Sequence, residues 1–152
     1  MGIDRMNKIF LRSVNEKDLK RIFEWRNHPE VRKNMFNGCE IKWEEHLEFW
    51  NERSRDKESY SFIVMKDEEA IGVARLDKRQ NIYEVDILID PLLQGQGHGT
   101  AAVSRLTEFA SKKQMRLCAK IKPDNIASQM LFESNNFKKR YLYLEWEEDE
   151  KK

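Results

Sequence analysis

Apolar residues in the first third of the chain recur at helical spacing. Leu19, Ile22, Phe23 and Arg26 fall on one face at i, i+3, i+4 and i+7 of a helix predicted over residues 16–27, with Asn15 as its cap. An arginine therefore sits on an apolar stripe. His28-Pro29 ends this helix, and Pro29 suits the first turn of a second helix running to Met35. Asn37-Gly38 marks a loop. A third helix follows over 41–53, with Trp43, His46, Leu47 and Trp50 on one face, so a histidine also sits among apolar neighbours.

From Ser59 the period shortens to two. Strands are expected at 60–66, 70–76 and 82–90, with a turn at Asp67-Glu68-Glu69 between the first two, and a short strand at 8–12 opens the chain. A helix over 100–113 carries Ala102, Val103, Leu106, Phe109 and Ala110 as its buried stripe. A strand at 116–122, a helix capped by Pro123-Asp124-Asn125 and reaching about residue 135, and a closing strand at 137–146 complete the pattern. The order β, α, α, α, β, β, β, α, β, α, β predicts an α/β (α+β) fold, with helices packed on a largely antiparallel sheet.

Length and charge narrow the function. The 152 residues suit one domain, 1–152, with a buried core, and 147–152 read as a charged, disordered tail. Lys and Arg total 28 against 27 Asp and Glu, so no global field attracts a polyanion; nucleic acid is not favoured, and an anionic ligand needs a local site. Cys39 and Cys118 form neither a CxxC pair nor a metal spacing; Cys39 reads as an exposed loop thiol and Cys118 as a core residue. His28, His46 and His98 lack ligand spacing, so no metal is expected. The start Met1-Gly2-Ile3-Asp4-Arg5-Met6 has no apolar leader and no run is long enough for a membrane span; the expectation is a cytoplasmic protein with no membrane partner.

Candidate chemistry centres on Gln94-Gly95-Gln96-Gly97-His98-Gly99-Thr100, three of the six glycines in one turn between a strand and a helix. Such a junction leaves backbone N–H groups unpaired at a positive helix end, suited to phosphate; a plain glycine connector is the alternative. Glu84 and Asp86 share one side of the preceding strand, either as functional carboxylates or as solvent-facing ones. Arg26 and His46 are open between pocket residues and paired or snorkelling core residues.

Two segments together carry a resemblance. Gln94-x-x-Gly97-x-Gly99 after Asp90-Pro91, and Asn125 with Ala127 through Leu131-Phe132-Glu133 to Asn136-Phe137, resemble the acyl-CoA signatures of the GNAT superfamily of N-acyltransferases, in matching order. The resemblance implies the GNAT fold with strands 4 and 5 splayed apart, and acetyl-CoA as donor. It implies that Gln94, Gly95, Gln96, Gly97, His98, Gly99 and Thr100 form the cofactor-binding turn, the backbone amides from Gln96 to Thr100 cradling the pyrophosphate, with Gly97 and Gly99 permitting close approach. Main-chain groups of Ile87, Leu88 and Ile89 would pair with pantetheine, and Asn125, Ser128 and Phe132 would face coenzyme A. Glu84 would accept the amine proton as the acceptor attacks through a tetrahedral intermediate; Asp86 is the second choice, or orients an ammonium. Many relatives carry a thiolate-protonating tyrosine where this chain has Phe132, leaving water or Ser134 to substitute.

The acceptor half is more particular. Trp25-Arg26-Asn27-His28-Pro29-Glu30-Val31 with Glu44-Glu45-His46-Leu47 resembles the amino-sugar acetyltransferases of pseudaminic acid biosynthesis for flagellin glycosylation, which act on a UDP-linked 4-amino-4,6-dideoxy sugar. That resemblance implies an acceptor pocket of Arg26, Asn27, Met35, Phe36, His46 and, more weakly, Arg75. Cousins with similar Trp-Arg-Asn openings acetylate ribosomal-protein N-termini or polyamines, and a non-catalytic acyl-CoA-binding module is a further alternative. Monomer and homodimer both stay open, since the final strand could pair with a partner edge.

Overall fold

The β-strands build one sheet whose two faces bury different helices. In the computed structural model, which describes residues 8–148, β1 (Ile9–Ser13), β2 (Tyr60–Lys66), β3 (Glu69–Arg79), β4 (Ile82–Ile89) and β5 (Leu117–Cys118) lie side by side in chain order. The first four are antiparallel, and β5 runs parallel to β4. Five helices surround them: α1 (Leu19–Asn27), α2 (Pro29–Arg32), α3 (Trp43–Arg55), α4 (His98–Lys112) and α5 (Ile126–Glu133).

Alternation along the strands decides which helix covers which face. Val64, Ile71, Ala74, Leu76, Val85 and Ile89 point to one side and pack with Ala102, Val103 and Leu106 of α4 and Phe132 of α5. Ile63, Met65, Val73 and Leu88 point to the other and pack with Ile22 and Trp25 of α1, Val31 of α2 and Trp50 of α3. Burying each such large side chain contributes roughly 1.5–3 kcal/mol, so both helix layers are fixed by apolar burial. The polar positions of the second face, Arg75, Asp77, Glu84 and Asp86, are left to form a site.

Local chemistry sets the helix starts. The Asn15 side chain accepts from the Lys17 N–H, and the Asp18 carboxylate accepts from the Asn15 N–H, a capping box that opens a single 3-10 turn, Glu16–Asp18, ahead of α1. Both oxygens of Asp18 also accept from Arg12 at 2.8 Å, tying this cap to β1. Burial acts to raise the Asp18 carboxyl's pKa, but the Arg12 bonds outweigh it and the net shift is downward.

Four expectations are corrected. The second helix stops at Arg32 rather than Met35, and α3 starts at Trp43 rather than residue 41. The Asn27 side chain explains the latter: it donates to the Ile41 carbonyl at 2.9 Å and accepts from the Ile41 N–H at 2.7 Å, holding that residue outside the helix. The fifth strand spans two residues instead of seven, because β4 and β5 diverge after the Glu84–Cys118 pairing. The expected strand at 137–146 does not form: an alternating pattern supplies side chains but not a ladder partner, and Tyr141 to Trp146 stand exposed. Of the tail, 147–148 are exposed without regular structure; 149–152 and the first seven residues lie outside the described region.

Candidate active site

The separation of β4 from β5 creates the site. Beyond Tyr83 and Glu84, β4 has no partner on the β5 side among the described residues. The Tyr83 N–H donates to Arg116 across that side, whereas the Asp90 N–H donates to Ile71 of the β3 side. Main-chain groups alternate in direction along a strand, so those of Ile87 and Ile89 face the gap and those of Leu88 face β3. The expectation that Leu88 offers its main chain to a ligand is corrected accordingly. The Ile89 carbonyl already accepts from the Gln94 side chain at 3.2 Å, which leaves its N–H and both groups of Ile87 for an extended ligand.

At the end of β4, the Asp90 carboxylate accepts from the Leu92 N–H and begins a short turn, Pro91–Leu93. Gly95 and Gly97 then take left-handed φ of 79° and 82°, which glycine adopts without the penalty of a side chain. Gly97 is the N-cap of α4, with no side-chain cap and no acidic residue in the first turn, and the helix's backbone bonding begins at Ala101 N–H to the Gly97 carbonyl. The N–H groups of His98, Gly99 and Thr100 thus lie at a positive helix end, and a Cβ at Gly95 or Gly97 beside them would meet only open space, an arrangement that fits a pyrophosphate.

Gly99 has a packing role that the sequence did not show. A Cβ there would overlap Leu131 of α5, whereas a Cβ at Gly95 or Gly97 would meet nothing within 4 Å. Gly99 is small so that α5 can pack on α4, and Asn135 strengthens the joint by donating to the Thr100 carbonyl at 3.1 Å. The Asn125 side chain caps α5 by accepting from the Ser128 N–H at 3.1 Å. Phe132, expected against coenzyme A, is instead 5% exposed and packs edge-on to Phe137 in the core. His98 lies half-buried, with Nε2 unpartnered; burial and then Lys66 lower its pKa, so its ring is neutral near pH 7.

On the α1–α3 side of the sheet, charges form a continuous ribbon. Asp86 accepts from Arg26 of α1 at 2.6 Å and from both Nε and Nη2 of Arg75, its direct partner on β3. Arg75 also lies 3.8 Å from Asp77, which is clasped by Arg53 of α3, and its guanidinium stacks 4.9 Å from the Phe49 ring centroid. Burial acts to raise the Asp86 pKa, but Arg26 and then Arg75 prevail and hold the carboxyl far below the usual range. Glu84 stands two residues away, next to the gap, flanked by Arg79 at 3.4 Å and Lys120 at 3.9 Å. Cys118 pairs with Glu84 in register; it is half-buried beside these charges rather than in the core, and burial followed by Glu84 pushes its thiol pKa up, away from nucleophilic thiolate.

Two expected acceptor contacts are already engaged. His46 is 4% exposed, its Nε2 lies 2.7 Å from the Leu19 carbonyl, and Phe23, Trp43 and Trp50 surround the ring. Burial, partly opposed by the Leu19 carbonyl, lowers its pKa, so Nε2–H donates from a neutral ring. Asn27 is the clamp on Ile41 described above. Met35 is partly buried against the second core cluster, and Phe36 is 70% exposed on the loop after α2. Arg53 and Asp77 escaped notice in the sequence, although Arg53 follows Trp50 by three and His46 by seven, on the same helical stripe.

A strand gap that offers main-chain groups, an uncapped helix end for phosphates and a carboxylate beside the gap define a coenzyme A-dependent acyltransferase. Residues 8–138 match the family model described as "Acetyltransferase (GNAT) domain". The chain belongs to this family and is an acetyl-CoA-dependent N-acetyltransferase. It is 30% identical over 125 residues to acetyltransferase PseH of Campylobacter jejuni, spanning 82% of this chain and 79% of that protein. A solved domain from Methanocaldococcus jannaschii superposes with a TM-score of 0.80 at 28% identity, covering 88% of this chain and 90% of that one. Spermidine N-acetyltransferase from Vibrio cholerae, solved with coenzyme A and spermine, shares the fold at a TM-score of 0.75 and 20% identity over 83% of this chain and 78% of its own. Among the described residues no helix is long and apolar enough to cross a membrane.

Proposed function

We propose that this protein acetylates the primary amine of a nucleotide-linked amino sugar, a UDP-4-amino-4,6-dideoxy sugar of the pseudaminic-acid type, acting in the cytoplasm as one catalytic domain on the route to flagellin glycosylation. The observation that carries the reading is the composition of the face beside the β4–β5 gap: the carboxylates of Glu84 and Asp86 stand among four cations, Arg26, Arg75, Arg79 and Lys120. Cations at the rim favour an acceptor that brings negative charge, as a diphosphate does, over a polycationic amine. Similarity to PseH over most of both chains supports the sugar class.

In this reading acetyl-CoA supplies the activated acetyl thioester. Its pyrophosphate rests on the His98, Gly99 and Thr100 amides, and its pantetheine arm pairs with Ile87 and the Ile89 N–H. Glu84, directly or through water, accepts the proton that the attacking amine loses. Asp86 keeps its charge and acts by orienting Arg26 and Arg75 towards the acceptor, instead of serving as the base. Buried Phe132 offers no proton, and solvent in the open gap protonates the departing thiolate.

The test is acetyl transfer to a panel comprising the UDP-amino sugar, spermidine and a ribosomal-protein N-terminal peptide. The expected result is transfer to the nucleotide sugar alone, with UDP competing against it. Preferential acetylation of spermidine or of the peptide overturns the substrate class.

A further inference from the structure

Asp86 is held by one oxygen only. Its Oδ2 accepts from Nη2 of Arg26 at 2.6 Å, from Nε of Arg75 at 3.0 Å and from Nη2 of Arg75, while Oδ1 accepts from no group among the described residues. Arg26 uses its own head group in the same partial way: Nη2 donates, and Nη1 has no partner among the described residues. Neither free atom is sealed in. Among the described residues the enclosed side-chain polar atoms without a partner are Arg32 Nε and His98 Nε2, so Oδ1 of Asp86 and Nη1 of Arg26 are open to solvent. The 30% exposure of the Asp86 side chain agrees.

An arginine and a carboxylate in contact frequently close a two-pronged fork, each group using both of its outer atoms. Here Arg75, the direct cross-strand partner, takes Oδ2 through two N–H groups, and the fork between Asp86 and Arg26 stays half closed. What remains open is a charged acceptor on one group and a charged donor on the other, the two groups being joined by the 2.6 Å bond. A phosphate brings oxygens and no proton to Oδ1, and an ammonium brings protons and no lone pair to Nη1. A hydroxyl satisfies both, donating to Oδ1 and accepting from Nη1.

Strand geometry selects which hydroxyl. Glu84 and Asp86 stand two residues apart on one face of β4, roughly 6–7 Å along the strand. With Glu84 at the attacking amine, two hydrogen bonds of about 2.8 Å converging from the two carboxylates leave room for substituents on adjacent carbons and for little more. We propose that Asp86 Oδ1, with Arg26 Nη1 beside it, binds the hydroxyl on the ring carbon next to the one that bears the amine, and so makes the enzyme specific for a vicinal amino alcohol. This rests on the nucleotide-sugar reading above and adds the part of the ring that the reading leaves open. Spermidine carries no such hydroxyl and would leave Oδ1 unmet, at the cost of an unpaired charged acceptor.

The test compares three acceptors on the wild-type chain: a UDP-4-amino-4,6-dideoxy sugar with a free hydroxyl next to the amine, its analogue with hydrogen in place of that hydroxyl, and its analogue with fluorine there, which has no proton to donate. The expected kcat/KM is about 10–100-fold lower for both analogues, since the lost bond is to a charged oxygen, with an unchanged KM for acetyl-CoA. In Asp86→Asn the arginines keep the amide oxygen and the NH2 group takes the place of Oδ1, so the preference for hydroxyl over fluorine shrinks to within about threefold. A role confined to holding Arg26 and Arg75 would lower the rates for all three acceptors alike. The wild-type comparison needs no variant and decides the matter even where Asp86→Asn fails to fold. A parent sugar acetylated no faster than its two analogues, or a preference that Asp86→Asn preserves, overturns the hydroxyl contact and leaves the substrate class standing. No transfer to the parent sugar overturns the substrate class and this inference with it.

Discussion

Arg75 and Asp86 face each other directly across the β3–β4 ladder, and the carboxylate that Arg75 grips is also held by Arg26 from α1. A sheet residue thereby fixes the direction of a helix residue at the acceptor side. Removing the shared carboxylate leaves two arginines in a partly desolvated cluster with less to hold them. Asp86→Asn is expected to lower stability by about 3 kcal/mol, in the range found for a broken buried pair. It should also raise the KM for the acceptor more than that for acetyl-CoA, as chemical denaturation and steady-state kinetics would reveal.

The same pair sets an acid limit. Asp86 has a lowered pKa in the folded protein, so its contribution is fully present above the unfolded value and is lost as pH falls through the folded one. Wild type should therefore lose stability progressively below about pH 4, and Asp86→Asn should flatten that part of the curve. A denaturation series from pH 6 to pH 2, of which about half lies in the titrating range, measures it directly.

Glu84 is expected to matter for turnover and not for donor binding. Glu84→Gln should reduce kcat by about 10²–10⁴-fold while the Kd for coenzyme A stays within about twofold, because the residue lies beside the gap and not on the phosphate turn. Full turnover in the variant with an unshifted pH profile would remove Glu84 from the role of base.

The two glycines of the turn should separate cleanly on substitution. Gly99→Ala drives a methyl into Leu131 and should cost about 1–3 kcal/mol of stability. Gly97→Ala meets open space but carries a φ of 82°, so it should cost about 1 kcal/mol and shift the N–H groups that face the donor. Melting curves should report mainly the first and the KM for acetyl-CoA mainly the second.

His46 is expected to behave as a structural residue. His46→Ala leaves the Leu19 carbonyl without its donor and opens space among three aromatic rings, and should cost about 2–4 kcal/mol. Since the folded ring has a lowered pKa, wild type should become less stable as pH drops below about 6.5; the variant should show a weaker dependence, with His98, its pKa also lowered, supplying what is left. An unchanged acceptor KM in the surviving folded protein would confirm that the ring does not touch substrate.

Much of the architecture was legible because burial follows periodicity. Ile22, Trp50, Val103 and Leu106 are spaced as their elements require, and each is buried where the pattern puts it. The junction at residues 94–100 was legible as a turn, because glycines clustered between a strand-like run and a helix-like run mark one. Pairing was not legible. Nothing in the spacing of Asn27 or His46 tells whether a polar atom meets a ligand or a neighbouring carbonyl; each is decided by backbone groups many residues away. The packing role of Gly99 was hidden for a related reason, since a missing side chain can admit a phosphate or a leucine, and the leucine belongs to a different element, α5. The final strand failed differently: its sequence pattern is strong, but a strand is a relation between two segments, and among the described residues none lies beside it.

The two-residue contact between β4 and β5 leaves the Ile87 and Ile89 amides inside a sheet yet outside its ladder. Such amides exchange their hydrogens with solvent far faster than those of Leu88 next to them, which bond to β3. A donor that pairs with them would slow that exchange residue by residue. The break in the sheet thus acts as a built-in reporter: deuterium uptake at two isoleucines would read out occupancy of the donor channel without any turnover at all.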